Sequence, residues 1–406
     1  MSMKNAILLS SLLLMIVASI ISISGSVVFV SGYSQQDKNA SNTKLPLMGV
    51  SMRGYYTSLG EEISHRAAIP PPNYYDDSFR MISQAGMNHV RILFYWEAYQ
   101  KNPLLFIKEL ETVANSADRW GLKVLYDNHQ WHTSSWLEPR GGMGFPSSLF
   151  QGSPSYKKGG GGNTADEPAK IWWTDWWNRS VKDTNGSDGW IMLANFLKNV
   201  VVHTVDNHQS TLGYEMLSEP QIHSDSQWEM VGKFNTFMAN ELRKVTQKTI
   251  AYSQQVPASI NAKTISVTEQ NQAKMAPSNK TDVVFKISLY GVPTDPFQDA
   301  RLAILLKAGK LAGVPIYVGE WNNVEREKTG GVFKINPAKS DISQNEVEIF
   351  IGKFKEIDAW GWAYWQWNFI TSKEPNFNLI TIAGGKLQPT KYYMQLKDAI
   401  SSIYGS

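Results

Sequence analysis

From Leu47 to the C-terminus, apolar and polar positions follow two alternating rhythms. Short apolar runs rich in Val, Ile, Leu and Tyr read as buried strands at Leu47 to Met52, His89 to Phe94, Leu122 to Tyr126, Thr211 to Leu217, Thr249 to Ser253, Val283 to Leu289, Pro315 to Gly319 and Gly361 to Trp367. Between them, apolar residues recur every three to four positions. That spacing predicts helices over Asp76 to Gln84, Leu104 to Trp120, Gly189 to Val205, Ser226 to Gln247, Pro296 to Ala312, Gln344 to Ala359 and Lys391 to Ile403. The segment from Val256 to Ala276 fits neither rhythm cleanly.

Strict alternation of strand and helix implies a parallel sheet, and eight such units over about 360 residues suit a closed (β/α)8 TIM barrel. An open doubly wound sheet is the competing layout. It usually carries a Gly-rich phosphate turn after its first strand, and Met48 to Gly54 lacks the GxGxxG spacing. One long insertion, Gln130 to Asp188, follows the third strand and holds the cluster Trp172, Trp173, Trp176 and Trp177. In a barrel this loop belongs to the active face, where the cluster reads as a small core covering the mouth or as a ligand surface.

The N-terminus reads differently. No charge falls between Lys4 and Asp37, and Ala6 to Val30 is almost wholly apolar or small. Residues 1–32 are therefore expected to be an export segment, 33–44 a polar linker, and 45–406 the barrel. The apolar stretch is long enough for a membrane anchor to compete with a cleaved signal, which small residues from Ser24 to Gly32 favour. The expected location is extracellular or on the cell surface.

Composition narrows the function. A formal charge of +3 without a basic run gives no reason to expect a nucleic-acid partner, and the absence of cysteine excludes disulfides and thiolate chemistry. No cofactor or metal is expected, and the expected state is a monomer. The 15 tryptophans suit a ligand with flat apolar faces, such as a sugar ring.

Residues at the carboxyl ends of barrel strands share one cup. Here they are Arg91 and Tyr95, His129 and Trp131, Glu219, Tyr290, Glu320, and Trp365 to Trp367. Glu219 closes Tyr214-Glu215-Met216-Leu217-Ser218-Glu219-Pro220, and Glu320 closes Pro315-Ile316-Tyr317-Val318-Gly319-Glu320 ahead of Trp321. Two carboxyls, one protonated to assist a leaving oxygen and one ionised to attack an anomeric carbon, are the requirement of glycoside hydrolysis. Trp131 and Trp136, just beyond the third strand, read as sugar platforms. Tyr55, Tyr56, Tyr74 and Tyr75 read as exposed rings near the early loops, and Glu215 as a buried charge needing a partner.

These motifs together resemble glycoside hydrolase family 5, the cellulase-like retaining barrels. The run Tyr214 to Pro220 is similar to that family's acid/base motif, and Val318-Gly319-Glu320-Trp321 to its nucleophile motif; Val90-Arg91, Asp127-Asn128-His129 and Trp365 resemble its second, third and eighth strands. The resemblance implies that Glu219 is the general acid/base and Glu320 the nucleophile. It implies that Arg91 and Tyr290 hold Glu320, that His129 contacts the sugar or the carboxylates, and that Trp365 floors the reacting sugar. The expected partner is a β-linked oligo- or polysaccharide. Two positions depart from the pattern: Ser218 stands where the family has Asn before the acid/base, and Ser288 where it has His two residues before the Tyr. Both side chains are smaller, so extra room beside the reacting sugar is expected there.

Overall fold

A computed structural model describes residues 45–58, 70–255, 265–323, 342–368 and 378–405, with the backbone alone at 326–329 and 332–335. The export segment and linker lie outside these residues, as does the stretch 256–264. Eight parallel strands close a barrel: β1 (Leu47–Arg53), β2 (His89–Phe94), β3 (Lys123–Asn128), β4 (Thr211–Glu215), β5 (Thr249–Ser253), β6 (Val283–Tyr290), β7 (Ile316–Asn322) and β8 (Gly361–Tyr364). Strand β8 pairs with both β7 and β1, which seals the cylinder. The (β/α)8 fold is therefore the one adopted.

The helices are α1 (Tyr74–Gln84), α2 (Trp96–Lys101), α3 (Pro103–Trp120), α4 (Glu167–Trp177), α5 (Gly189–Phe196), α6 (Gln227–Leu242), α7 (Glu269–Lys274), α8 (Pro296–Ala312), α9 (Gln344–Glu356) and α10 (Lys391–Tyr404). Seven of these stand where the three-to-four periodicity puts them; α2, α4 and α7 lie outside its predicted runs, and beyond Phe196 the run to Val205 continues as a π-helix over Leu197–Val202. Local chemistry sets their limits. Helix α8 starts with the Asp295 side chain accepting from the Phe297 amide and Pro296 at its first turn, and stops at Gly313 with φ 70°. Helix α3 repeats this logic with Asn102, Pro103 and Gly121.

Inside the barrel, small residues on some strands admit large ones from others. Leu125, Ala251, Val284, Tyr317 and Ala363 fill the lower interior. Close strand contact there forbids a Cβ: one on Gly213 would lie 2.0 Å from the Thr249 carbonyl oxygen. Strand β7 carries a bulge at Gly319, because Val318 pairs with Ile287 while Glu320 pairs with Ser288. The extra residue turns Tyr317 and Glu320, three apart, onto the same interior face.

Two strands are shorter than their apolar runs suggest. Strand β4 ends at Glu215, so Glu219 lies in the loop beyond it, and β8 ends at Tyr364, just before Trp365 and Trp367. In both cases the chain leaves the ladder because backbone groups find other partners. The Ser218 amide donates to the Asn128 carbonyl and the Glu219 amide to Ser253 Oγ at 3.0 Å. Trp367 is core, with its indole donating to Ser78 Oγ at 3.0 Å.

The chain between β3 and β4 contains α4, whose Trp172, Trp173, Trp176 and Trp177 are wholly buried. They form a small core with Phe145 and Phe150. Trp173 donates to Thr133 Oγ1 at 2.9 Å and Trp177 to the Gln221 carbonyl at 2.8 Å, so this helix ties the loops after β3 and β4 together. Glu97 joins them to the end of β2 by accepting from the amides of Ser135 and Gly144. The early tyrosines are a correction: Tyr55, Tyr74 and Tyr75 are buried, because Glu109 on α3 gathers the amides of Tyr55, Tyr56 and Thr57 and the Tyr75 hydroxyl.

Trp176→Ala should cost about 3–5 kcal/mol, the usual range for emptying a buried indole site. The measurement is a urea unfolding curve, with a lower midpoint at unchanged slope expected; an unchanged midpoint would mean that the cluster is not core.

Candidate active site

Strand-end side chains meet in one buried network at the carboxyl end of the barrel. At its centre is Arg91 on β2, fully buried. Its Nε donates to Glu215 Oε2 at 2.9 Å, one terminal nitrogen to Glu320 Oε1 at 3.1 Å, and the other to Ser218 Oγ at 3.1 Å while pairing with Asp127 Oδ2 at 2.9 Å. Glu215 thus has the partner its burial demands. Every donor edge of the guanidinium fork is directed at an oxygen, which is how such a charge survives in an interior.

A second cation stands beside it, and the sequence reading missed it. Lys286 on β6 is buried and places Nζ 2.8 Å from Glu320 Oε1, 2.9 Å from Ser288 Oγ and 3.3 Å from Ser218 Oγ. The space that Ser218 and Ser288 were expected to leave open beside the sugar is therefore taken by this ammonium. The Lys286 stem fits because Gly319 has no side chain: a Cβ there would lie 2.7 Å from Lys286 Cγ. A signal was present in the chain. Lys286, Ser288 and Tyr290 share the two-residue period of one strand face, and Tyr290 had already marked that face as inward.

Glu320 is 3% exposed. Its Oε1 receives both cations, and its Oε2 receives the Tyr290 hydroxyl. Burial pushes its pKa up, but the charges of Lys286 and Arg91 outweigh burial and hold it well below the usual carboxylate range. Glu219, 8% exposed, is shifted the other way. Burial and the Glu320 charge raise its pKa, and Lys286 only partly offsets them. Lys286 Nζ lies 2.8 Å from Glu320 Oε1 and 3.8 Å from Glu219 Oε1, so those two oxygens can be no more than 6.6 Å apart.

Glu219 sits at φ 44°, a left-handed conformation unfavourable for a residue with a Cβ. It is held there from both sides, its amide by Ser253 and its carbonyl by Gln130 Nε2 at 2.8 Å. His129 contacts the carboxylate network: its Nδ1 is 2.8 Å from Asp127 Oδ2. Burial lowers the His129 pKa to about 3, so the neutral ring donates from Nδ1 and keeps Nε2 as an acceptor. The half-buried Trp365 stacks on His129 with ring centroids 5.7 Å apart.

The two sugar-platform candidates separate. Trp131 is 40% exposed and lies against His132 with centroids 4.4 Å apart. Trp136 is more enclosed: its indole donates to the Tyr156 carbonyl at 2.8 Å, and Lys158 Nζ stands over its ring. Trp131 is the ring presented to solvent.

A family model, Cellulase (glycosyl hydrolase family 5), matches residues 39–370 of this chain. The chain belongs to glycosyl hydrolase family 5. Among solved structures, an endogalactoceramidase is similar with TM-score 0.64 and 17% identity, over 87% of this chain and 80% of that one. Endo-glycoceramidase II from Rhodococcus sp., in a complex with a cellobiose-like imidazole, gives TM-score 0.60 and 18% identity over 87% and 78%. XacCel5A in complex with cellopentaose gives 0.54 and 13% over 87% and 99%. At these identities the likeness is one of fold. Among curated proteins, none matches.

The family 5 site has a consequence for stability. Burial pushes Asp127 up to about 7 against the pull of Arg91, and it raises Glu215 and Glu219 as well. An acid whose folded pKa exceeds its unfolded one takes up a proton on folding, so its contribution falls as pH rises through that window. Glu320 has the opposite sign, and its contribution is lost only as pH falls below the ordinary glutamate range. The buried histidines His89 and His129, held neutral in the folded chain, add the opposite slope up to about pH 6.5 in parent and variant alike. Thermal unfolding is therefore expected to show a Tm advantage of the parent over Asp127→Asn that shrinks from pH 5 to pH 8. An advantage that stays constant or grows across that range would contradict the assignment.

Proposed function

We propose that the chain is an exported, retaining endo-glycosidase that cleaves a β-linked oligo- or polysaccharide by double displacement. Glu320 is the nucleophile and Glu219 the general acid/base. One observation carries this reading: the same buried ammonium stands 2.8 Å from one carboxyl and 3.8 Å from the other, with the first held well below the usual carboxylate range and the second shifted above it. A separation of at most 6.6 Å suits the direct attack of a retaining enzyme, whose carboxyls lie about 5–5.5 Å apart. An inverting enzyme needs a water between them and about 6.5–9.5 Å.

In the first step Glu320 Oε2 bonds to the anomeric carbon as the glycosidic C–O bond breaks, and the Glu219 proton passes to the departing oxygen. In the second, Glu219 takes a proton from water, the water oxygen bonds to the anomeric carbon, and Glu320 is released as a carboxylate. Arg91 and Tyr290 fix the rotamer of Glu320 so that its attack costs little reorganisation. His129 Nε2 accepts from a sugar hydroxyl, and Trp365 floors the ring.

A second reading concerns the leaving group. Trp131 and Phe297, the latter 62% exposed at the start of α8, are open rings on segments that follow β3 and β6 at the barrel's active end. Together with the glycoceramidase neighbours, they favour β-glycosides with an apolar aglycone over free glucans. Comparing kcat/KM for a lactosyl lipid in detergent with that for cellopentaose decides between them.

Glu320→Ala and Glu219→Ala should each lower kcat on an unactivated substrate by about 10²–10⁴-fold or more. Turnover of either variant near the parent rate would end the assignment. On the parent, NMR of the first product should show the β anomer; the α anomer would exclude double displacement. The kcat/KM profile should be bell-shaped, falling at low pH as Glu320 protonates and at high pH as Glu219 ionises. Activity that rises continuously to high pH would contradict the acid role of Glu219.

A further inference from the structure

We propose that Lys286 is a positioning residue that balances the two catalytic carboxyls in turn, facing the charge of Glu320 in the free enzyme and the charge of Glu219 once Glu320 is bound in the glycosyl ester. The inference rests on the roles assigned above to the two glutamates.

Three observations carry it. First, the ammonium is fully committed to the protein. Its three N–H groups are directed at Glu320 Oε1, Ser288 Oγ and Ser218 Oγ, and its stem lies in the notch left by Gly319. It has no donor left for a ligand, and it is held in place. Second, it lies within ion-pair range of both acids, bonded to Glu320 Oε1 at 2.8 Å and 3.8 Å from Glu219 Oε1, with Glu215 Oε1 also at 3.9 Å. Among the described residues it is the cation within 4.0 Å of both; Arg91 reaches Glu320 but pairs otherwise with Glu215 and Asp127. Third, both positions that depart from the family pattern serve it. Ser218 and Ser288 accept from the ammonium, and the Ser288 hydroxyl also reaches the Glu219 carboxyl.

The reaction moves one negative charge between two fixed places. Attack by Glu320 Oε2 consumes the charge on that carboxyl, and loss of the proton to the leaving oxygen creates it on Glu219. Hydrolysis reverses both. A static cation beside each acid lets the charge cross without rearrangement of the interior. The other groups facing the pair are Arg91 from β2, Asp127 and His129 from β3, Glu215 from β4 and Tyr290 from β6.

Lys286→Met removes the ammonium at similar length, and Lys286→Gln removes the charge but keeps donors. With a dinitrophenyl β-glycoside, whose departure needs little acid help, each variant should still give a burst of dinitrophenol. Hydrolysis of the ester should then be about 10–100-fold slower, because Glu219 stays protonated when a base is required. Intact-protein mass spectra should show the glycosyl-enzyme accumulating. Both limbs of the kcat/KM profile should move to higher pH by about 1–2, the effect of losing a cation at this range. Limbs within about 0.2 of the parent, with no accumulation, would overturn the proposal, since a lysine that only stabilises the fold would lower Tm without moving them. If Glu219→Ala or Glu320→Ala keeps activity, the assignment of the acids fails instead. Should both lysine variants fail to fold, lysine-ammonium NMR of the parent is the test. A slowly exchanging buried signal should shift when a 2-fluoroglycoside traps Glu320, and a signal that does not respond would overturn the inference.

Discussion

Two buried cations converge on a single carboxylate oxygen, Glu320 Oε1, and the rest of the site is arranged around that contact. Burying even one charge is costly unless its partners are close and its donors are satisfied. Here the guanidinium of Arg91 and the ammonium of Lys286 are matched by Glu320, Glu215 and Asp127, with Ser218 and Ser288 filling the remaining donor positions. The barrel can supply such density because five of its strands, β2, β3, β4, β6 and β7, aim polar or charged side chains at one layer. Removing any one charge would leave its partners in a medium that solvates them poorly.

The same contact separates the two acids. Glu320 lies against the cations, while Glu219 is a layer further out on a strained turn, near enough to feel the Glu320 charge but only grazed by Lys286. Position alone therefore shifts two chemically identical side chains in opposite directions, Glu219 toward its protonated form and Glu320 toward its ionised one. The bulge at Gly319 does a double service in this. It turns Glu320 inward after Tyr317, and its missing Cβ admits the stem of Lys286. The insertion after β3 acts from outside, where its tryptophan core ties the loop bearing His129 and Trp131 to the loop bearing Glu219.

Much of this was legible in the chain. The limits of β2, β5 and α8 coincide with their periodic runs, because clear caps and turn residues bound them. Glu219 was expected just past a strand running to Leu217, and the strand stops at Glu215; apolar Met216 and Leu217 continue the pattern, but their backbone has turned to other partners. The early tyrosines read as exposed because they adjoin a polar loop, and only tertiary contact shows that Glu109 gathers that loop inward. Lys286 escaped notice because a lone lysine in an apolar strand usually marks an edge or a snorkelling side chain. Its partners, Glu320 and the two serines, come from distant parts of the chain, so nothing in its neighbourhood names it.

The central claim is that Glu219 and Glu320 titrate on opposite sides of an ordinary glutamate, and carboxyl ¹³C NMR of the Glu-labelled enzyme measures this directly. The resonance lost in Glu219→Gln should titrate above the ordinary range, and the one lost in Glu320→Gln should remain ionised below it. Two resonances that titrate together near the ordinary value, or in the reverse order, would contradict the account.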